Sequence, residues 1–278
     1  MPANVSQHYV SRVYLKQFSP TAKNELWRFD GQEIVHKSVV SQCAEDYFYS
    51  SSDPKFFQIM EDTYGTILDK RIKRGKTLTA KNRLGLILMM FDLHCRNPAY
   101  TNLTGKKNVD SYNALIHCLH ILLGESGTPL SSEQLFQHLR NTWRVRLLET
   151  SCEPGLITSD NPALWFTFDE TEDRKRLHFM LLPITPRCCA VAWDMRFVRV
   201  NGCGLTRDDQ TGISFGQIQH CTRFVYCSSK PSLDELPEAR LRWKERERPE
   251  GQVRTNSCDF NFLRCLKNDT GFSFLTSI

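Results

Sequence analysis

Apolar and polar positions change period along this chain, and the changes divide it into three stretches. Over Glu25-Leu26-Trp27-Arg28-Phe29 and Glu33-Ile34-Val35 the pattern is that of two strands, and Asp30-Gly31 between them is the D-G signal of a hairpin. The aromatic Tyr47-Phe48-Tyr49 suits a third strand or an anchoring loop. From Pro54 the period becomes helical: Phe57, Met60, Tyr64, Ile67, Leu68 and Ile72 form one stripe until Gly75 interrupts it. A second helix is predicted over Thr79 to Cys95, ended by Pro98, with others over Val109 to Leu123 and Ser131 to Leu139. The last opens on a capping box formed by Ser131 and Gln134. Beyond Asn141 the pattern is strand-like over Thr142 to Glu149, Gly155 to Thr158, Ala163 to Phe168, His178 to Leu182, Cys188 to Trp193 and Phe197 to Val200. Thr206 then caps a helix running to Cys221, Thr222 to Ser228 reads as a strand, and short strand-like pieces follow near Phe260 and Phe272. The fold class predicted is α+β: a helical block over about 54–140 between a small N-terminal β unit and a C-terminal, mostly antiparallel sheet.

With 278 residues, 40% of them hydrophobic and 11% aromatic, the chain can bury a sizeable core and is globular in type. Residues 1–230 are expected to form a single α+β domain and 231–278 a polar C-terminal extension. The longest apolar run, Leu84 to Leu93, holds Gly85 and Asp92 and falls short of the ~20 residues that span a membrane. The opening MPANVSQHYV shows neither a basic start nor an apolar core, so the expected location is cytoplasmic. Eleven cysteines, an odd number, rule out a fully paired disulfide framework within one copy, and the absence of any C-x-x-C pair argues against ribbon or finger zinc sites. Most of these thiols are expected to act as small buried apolar groups. The net charge of +5 is modest for a duplex-DNA reader. The dense run Arg240 to Arg248 interleaves acids, which suits a solvated surface element or a phosphate-backbone contact.

Three islands gather residue types that catalyse or bind: Gln7-His8-Tyr9-Val10, Arg96-Asn97-Pro98 and Ile157-Thr158-Ser159-Asp160-Asn161-Pro162. Helical spacing puts Glu61 among Phe57, Tyr64 and Leu68 on an apolar face, where an ionised acid needs a partner. Arg96 shares a face with Leu86, Met89 and Leu93, so antiparallel packing of the two helices would let Glu61 and Arg96 meet, as a structural ion pair or around a ligand. Asp160 sits in a tight connection between strands, stiffened by Pro162. It either closes the turn on its own backbone or stands at the mouth of the sheet as general base or metal ligand, with Ser159 or Thr158 binding an oxyanion. His8, in apolar company, reads either as a hydrogen-bonded core residue or as an acid-base group. His117 and His120 are one helical turn apart, but no third ligand stands near them in sequence. Walker, G-x-G-x-x-G and G-x-S-x-G motifs do not occur.

The islands, with Tyr14-Leu15-Lys16-Gln17-Phe18, Phe48-Tyr49-Ser50, Glu61 and Leu182-Pro183-Ile184-Thr185-Pro186, come in an order and spacing that resembles the DUF4238 family of uncharacterised, mainly microbial proteins, over about Gln7 to Ser228. Ser11 stands where that family usually has Pro, and Asn97 where its helix-ending R-T-P has Thr. The resemblance implies that His8, Glu61, Arg96 and Asp160 occupy motif positions and share a pocket; it carries over no reaction. One expectation is a phosphodiester hydrolase acting on nucleic acid or a nucleotide. In it Glu61 and Asp160 hold a metal such as Mg2+, His8 activates water, Arg96 stabilises the pentavalent phosphorus, and Tyr9, Ser159 and Asn161 bind. The other is a non-catalytic ligand- or partner-binding protein in which the same residues form a structural network.

Overall fold

The computed structural model describes residues 6–20, 23–46, 54–96, 116, 131–168, 177–230, 262–265 and 272–277. The predicted hairpin forms as β2 (Glu25–Phe29) and β3 (Ile34–Ser38), its turn closed by Asp30 Oδ1, which accepts the amides of Gln32 and Glu33. A strand not evident in the periodicity, β1 (Ser6–His8), pairs antiparallel with β4 (Ala44–Asp46), and the short helix α1 (Arg12–Leu15) follows it. Helix α2 (Pro54–Ile67) runs on through a π-helical turn, Leu68–Ile72, and α3 (Ala80–Cys95) starts at a capping box of Thr79 and Asn82. The Ser131 and Gln134 box opens α4 (Ser132–Thr142), which passes without a linker into β5 (Trp143–Glu149). Of the expected helix over Val109 to Leu123 only Ile116 is described, in helical conformation and packed against the core; the aromatic strand at Tyr47 to Tyr49, the Pro98 stop and the Arg240 to Arg248 run lie outside the described residues.

The C-terminal half supplies β6 (Thr158–Ser159), β7 (Leu164–Phe168), β8 (Leu177–Thr185), β9 (Cys188–Asp194), β10 (Val198–Val200), α5 (Arg207–His220), β11 (Val225–Cys227), β12 (Phe262–Cys265) and β13 (Leu275–Ser277). Five strands form the main sheet in the order β12-β7-β8-β9-β5, antiparallel except where β12 joins β7 in parallel. Every residue of β9 is buried, so the sheet is covered on both faces. Trp165, Met180, Leu182, Ala190 and Ala192 face the helices, while Phe166, Phe179, Leu181, Val191 and Trp193 face a second cluster that holds Ile213 of α5 and Phe274. Phe91 of α3 wedges edge-on against Trp143 and Trp165, at 5.4 and 5.3 Å between centroids. Gly85 lets α2 and α3 approach closely, since a Cβ there would lie 2.9 Å from Ile67 Cδ1.

A second sheet, in the order β3-β2-β11-β6, joins the N-terminal hairpin to strands from the far end of the domain. The strand expected over Gly155 to Thr158 is therefore only Thr158–Ser159, and it pairs with β11. Gly155 cannot continue that strand: it has φ +87° and lies under Pro186, whose carbonyl would be 2.9 Å from an added Cβ. Strands β12 and β13 also enter sheets, beside β7 and β10. Among the described residues no helix is long and apolar enough to cross a membrane.

Candidate functional site

Pairing β6 with β11 and β11 with β2 draws the Thr158 to Pro162 island against both the N-terminal segment and α5, and each of its residues finds a partner there. The Tyr14 hydroxyl donates to Pro183 O at 2.5 Å, which uses its one hydrogen, so Thr158 Oγ1, 2.6 Å away, donates to Tyr14. Three segments far apart in the sequence thus meet at one buried phenol. Ser159 Oγ donates to Gln217 Oε1 at 2.6 Å and accepts the Asn161 amide, while Gln217 Nε2 donates to Pro162 O at 2.8 Å. Asn161 Nδ2 donates to His220 O, and His94 Nδ1 faces Ala163 O at 3.1 Å. Asp160 is 0% exposed and so does not stand at a mouth of the sheet. Its carboxylate accepts the consecutive amides of Thr222, Arg223 and Phe224 at 2.6, 2.6 and 3.2 Å, and its own amide donates to Phe224 O. Asp160 closes a turn, as its residue type suggested, but a turn of a different segment.

On the helices, Arg96 caps the C-terminus of α3 at 1% exposure. Its Nε lies 3.3 Å from Asp92 Oδ2, which also accepts the Tyr64 hydroxyl at 2.6 Å. Burial pushes the Asp92 carboxyl above its ordinary range, against the opposing pull of Arg96 and Tyr64. His94 stacks on Trp165 at 4.0 Å between centroids, and burial lowers its pKa to about 4, so the ring is neutral. With Nδ1 directed at a carbonyl, the proton resides on Nδ1.

His8 is half-buried, and its Nδ1 faces Gln42 O at 3.0 Å, which places the neutral ring's lone pair on Nε2. Burial lowers its pKa first. The Gln42 hydrogen bond and the Glu61 charge push the other way, and the charges of Arg12 and Arg96 add to the lowering. Glu61 and Arg96 thus both lie within electrostatic reach of His8. Glu61 is half-buried on α2. The Tyr9 amide donates to Cys43 O, and the side chains of Tyr9 and Tyr226 both hydrogen-bond the Cys43 thiol. The charge of Asp160 acts on that thiol and on Tyr226, so the His8 group and the Asp160 loop adjoin through Tyr9 and Cys43.

Among the described residues no group of three or more His, Cys, Asp or Glu side chains is placed to hold a metal ion. Burial raises the Cys43 and Cys189 thiols and pushes Cys188 up to about 12, which suits buried apolar groups rather than nucleophiles. His117 and His120 lie outside the described residues. Sequence reasoning gave no site role to Asp92, Tyr14, His94, Gln217 or Tyr226. Asp92 left a usable signal, being the one acid in the Leu84 to Leu93 run and four residues before Arg96. Gln217 left none, because its partners are set by tertiary pairing.

Residues 6–117 match the family model described as "Protein of unknown function (DUF4238)". That stretch carries His8, Tyr14, Glu61, Asp92 and Arg96, while the Thr158 to Pro162 loop lies beyond it. Neither the curated proteins nor the solved structures hold a match to the chain.

Proposed function

We propose that this chain, in which Tyr14 joins a buried polar clamp around Thr158 to Ala163, is a ligand- or partner-binding protein and not a hydrolase centred on Asp160. The observation that carries this reading is that six consecutive residues, Thr158 to Ala163, each make a hydrogen bond to a distant segment through a side chain or carbonyl. Such bonds anchor a loop. A general base or cation ligand needs lone pairs to offer, and the Asp160 oxygens already receive three amide hydrogens, each of which a cation at the same oxygen would repel. The donor set therefore does not suit Mg2+ held by Glu61 and Asp160.

A second reading is favoured by His8 alone. A half-buried imidazole with its tautomer fixed by Gln42 and with Glu61, Arg12 and Arg96 around it is equipped for proton transfer. In that reading the clamp is scaffold and Asp160 takes no part.

Thermal melts and hydrolysis of bis(p-nitrophenyl) phosphate with Mg2+, run on wild type, Asp160→Ala and His8→Gln, separate the readings. The clamp predicts that Asp160→Ala loses at least about 3 kcal/mol of stability, because three amides lose their acceptor, and that none of the proteins hydrolyses the diester. Hydrolysis by wild type that Asp160→Ala abolishes at an unchanged melting temperature would sink the proposal. Loss of such activity in His8→Gln alone would favour the second reading.

A further inference from the structure

The last strand of the main sheet, β5, has two unlike edges. Its inner edge pairs with β9 along its whole length. On the outer side Glu149 donates its amide to Cys203 O and accepts from Leu205 N, so by the period of two the backbone groups of Leu147 and Val145 point outward as well. The Trp143 amide is used by Leu139 O of α4. Among the described residues no strand lies beyond β5, and the N–H and C=O groups of Val145 and Leu147 form an open edge. Such an edge is a template for another extended chain.

A groove of about 810 Å3 runs beside this edge, between β5 and the segment that leaves α2. Among the described residues, Lys73, Lys76, Arg83, Arg144, Arg146 and Arg187 line it against one carboxylate, Glu149. Arg146 is braced by Val200 O and Gly202 O, and Arg187 by Cys152 O and Glu153. Lys73, Lys76 and Arg83 on the opposite wall are exposed and form no ion pair among the described residues. Ile72, Leu78 and Val145 give the groove an apolar floor.

We propose that β5 and this groove bind an extended acidic segment of a partner protein as an added strand. The open stretch from Val145 to Leu147 matches about 10 Å of extended chain. Acidic side chains at alternate positions answer the cations, and the intervening apolar ones meet the floor. A polyphosphate backbone fits less well, because the outward carbonyls of Val145 and Leu147 repel phosphate oxygens, whereas a peptide supplies an N–H to each. The inference rests on β5 and its groove, not on the clamp, so the two can fail separately.

The probe is a fluorescein-labelled octapeptide of alternating Glu and Val, titrated with the full chain and followed by anisotropy. Two N-methylated versions, one for each alternate set of peptide amides, and a ten-residue deoxythymidine oligomer serve as comparisons. The peptide is expected to bind and to slow hydrogen exchange at the Val145 and Leu147 amides. One N-methylated set is expected to weaken binding at least tenfold, as is the surface variant Lys73→Glu/Lys76→Glu, with the oligonucleotide weaker than the peptide. Any one of four results overturns the proposal: no binding of the peptide, equal binding of both N-methylated versions, no effect of the charge reversal, or tighter binding of the oligonucleotide.

Discussion

The Thr158 to Ala163 loop and the β5 groove are both rich in polar groups and use them in opposite ways. In the loop the hydroxyls of Tyr14, Thr158 and Ser159 and the Asp160 carboxylate are out of water and engaged by partners within the chain. In the groove three cations project to solvent without ion partners among the described residues, beside backbone groups that no strand has taken up. Saturated polar groups in an interior specify one arrangement of segments. Unsatisfied ones at a surface are available to another molecule. The residues that look most catalytic in the sequence belong largely to the first kind, and the recognition surface is built from lysines and arginines that no motif marks.

Three measurements sharpen or break this contrast. The largest effect is expected from Arg96→Met, which leaves the Asp92 carboxylate buried without its guanidinium. Urea unfolding should show a loss of about 3–5 kcal/mol. A smaller one concerns His94, whose folded pKa of about 4 lies below its value in the unfolded chain. Since the unfolded state binds the proton first, the stability is fully present above about pH 6.5 and is lost as the pH falls towards 4, by about 3 kcal/mol in all. His94→Gln, which does not titrate, should flatten that part of the stability profile, and an unchanged slope would show that the ring is solvated. The smallest effect is expected from Lys76→Glu, which should shift stability by less than about 0.5 kcal/mol. A shift as large as that of Arg96→Met would erase the distinction between the two regions.

Much of the local structure could be read directly. The stripe from Met60 to Ile72 and the capping boxes at Ser131 and Thr206 fix α2 with its π-helical turn, α4 and α5 to within three residues, because helices are governed by neighbours three and four positions apart. Pairing of β11 with β2 and β6 was not legible, since it joins segments nearly two hundred residues apart at their widest and leaves no periodic trace. That same pairing decides the site. The residue pattern suggested that Asp160 closes its own turn or faces outward, and only tertiary pairing brings the Thr222 to Phe224 amides to it. The electrostatic action of Glu61 and Arg96 on His8 depends on how β1, α2 and α3 pack, whereas the pairing of Asp92 with Arg96 was open to reading from their i,i+4 spacing.

Native-state hydrogen exchange at the amides of Thr222, Arg223 and Phe224 tests the clamp most directly, because these are the groups that the Asp160 carboxylate holds. If Asp160 is a structural anchor, all three amides exchange only through global unfolding, with the same free energy as the core of β9. Exchange at the rate of an open loop, with Asp160 ionised and the rest of the sheet protected, would contradict the account and return that carboxylate to the list of groups available for chemistry.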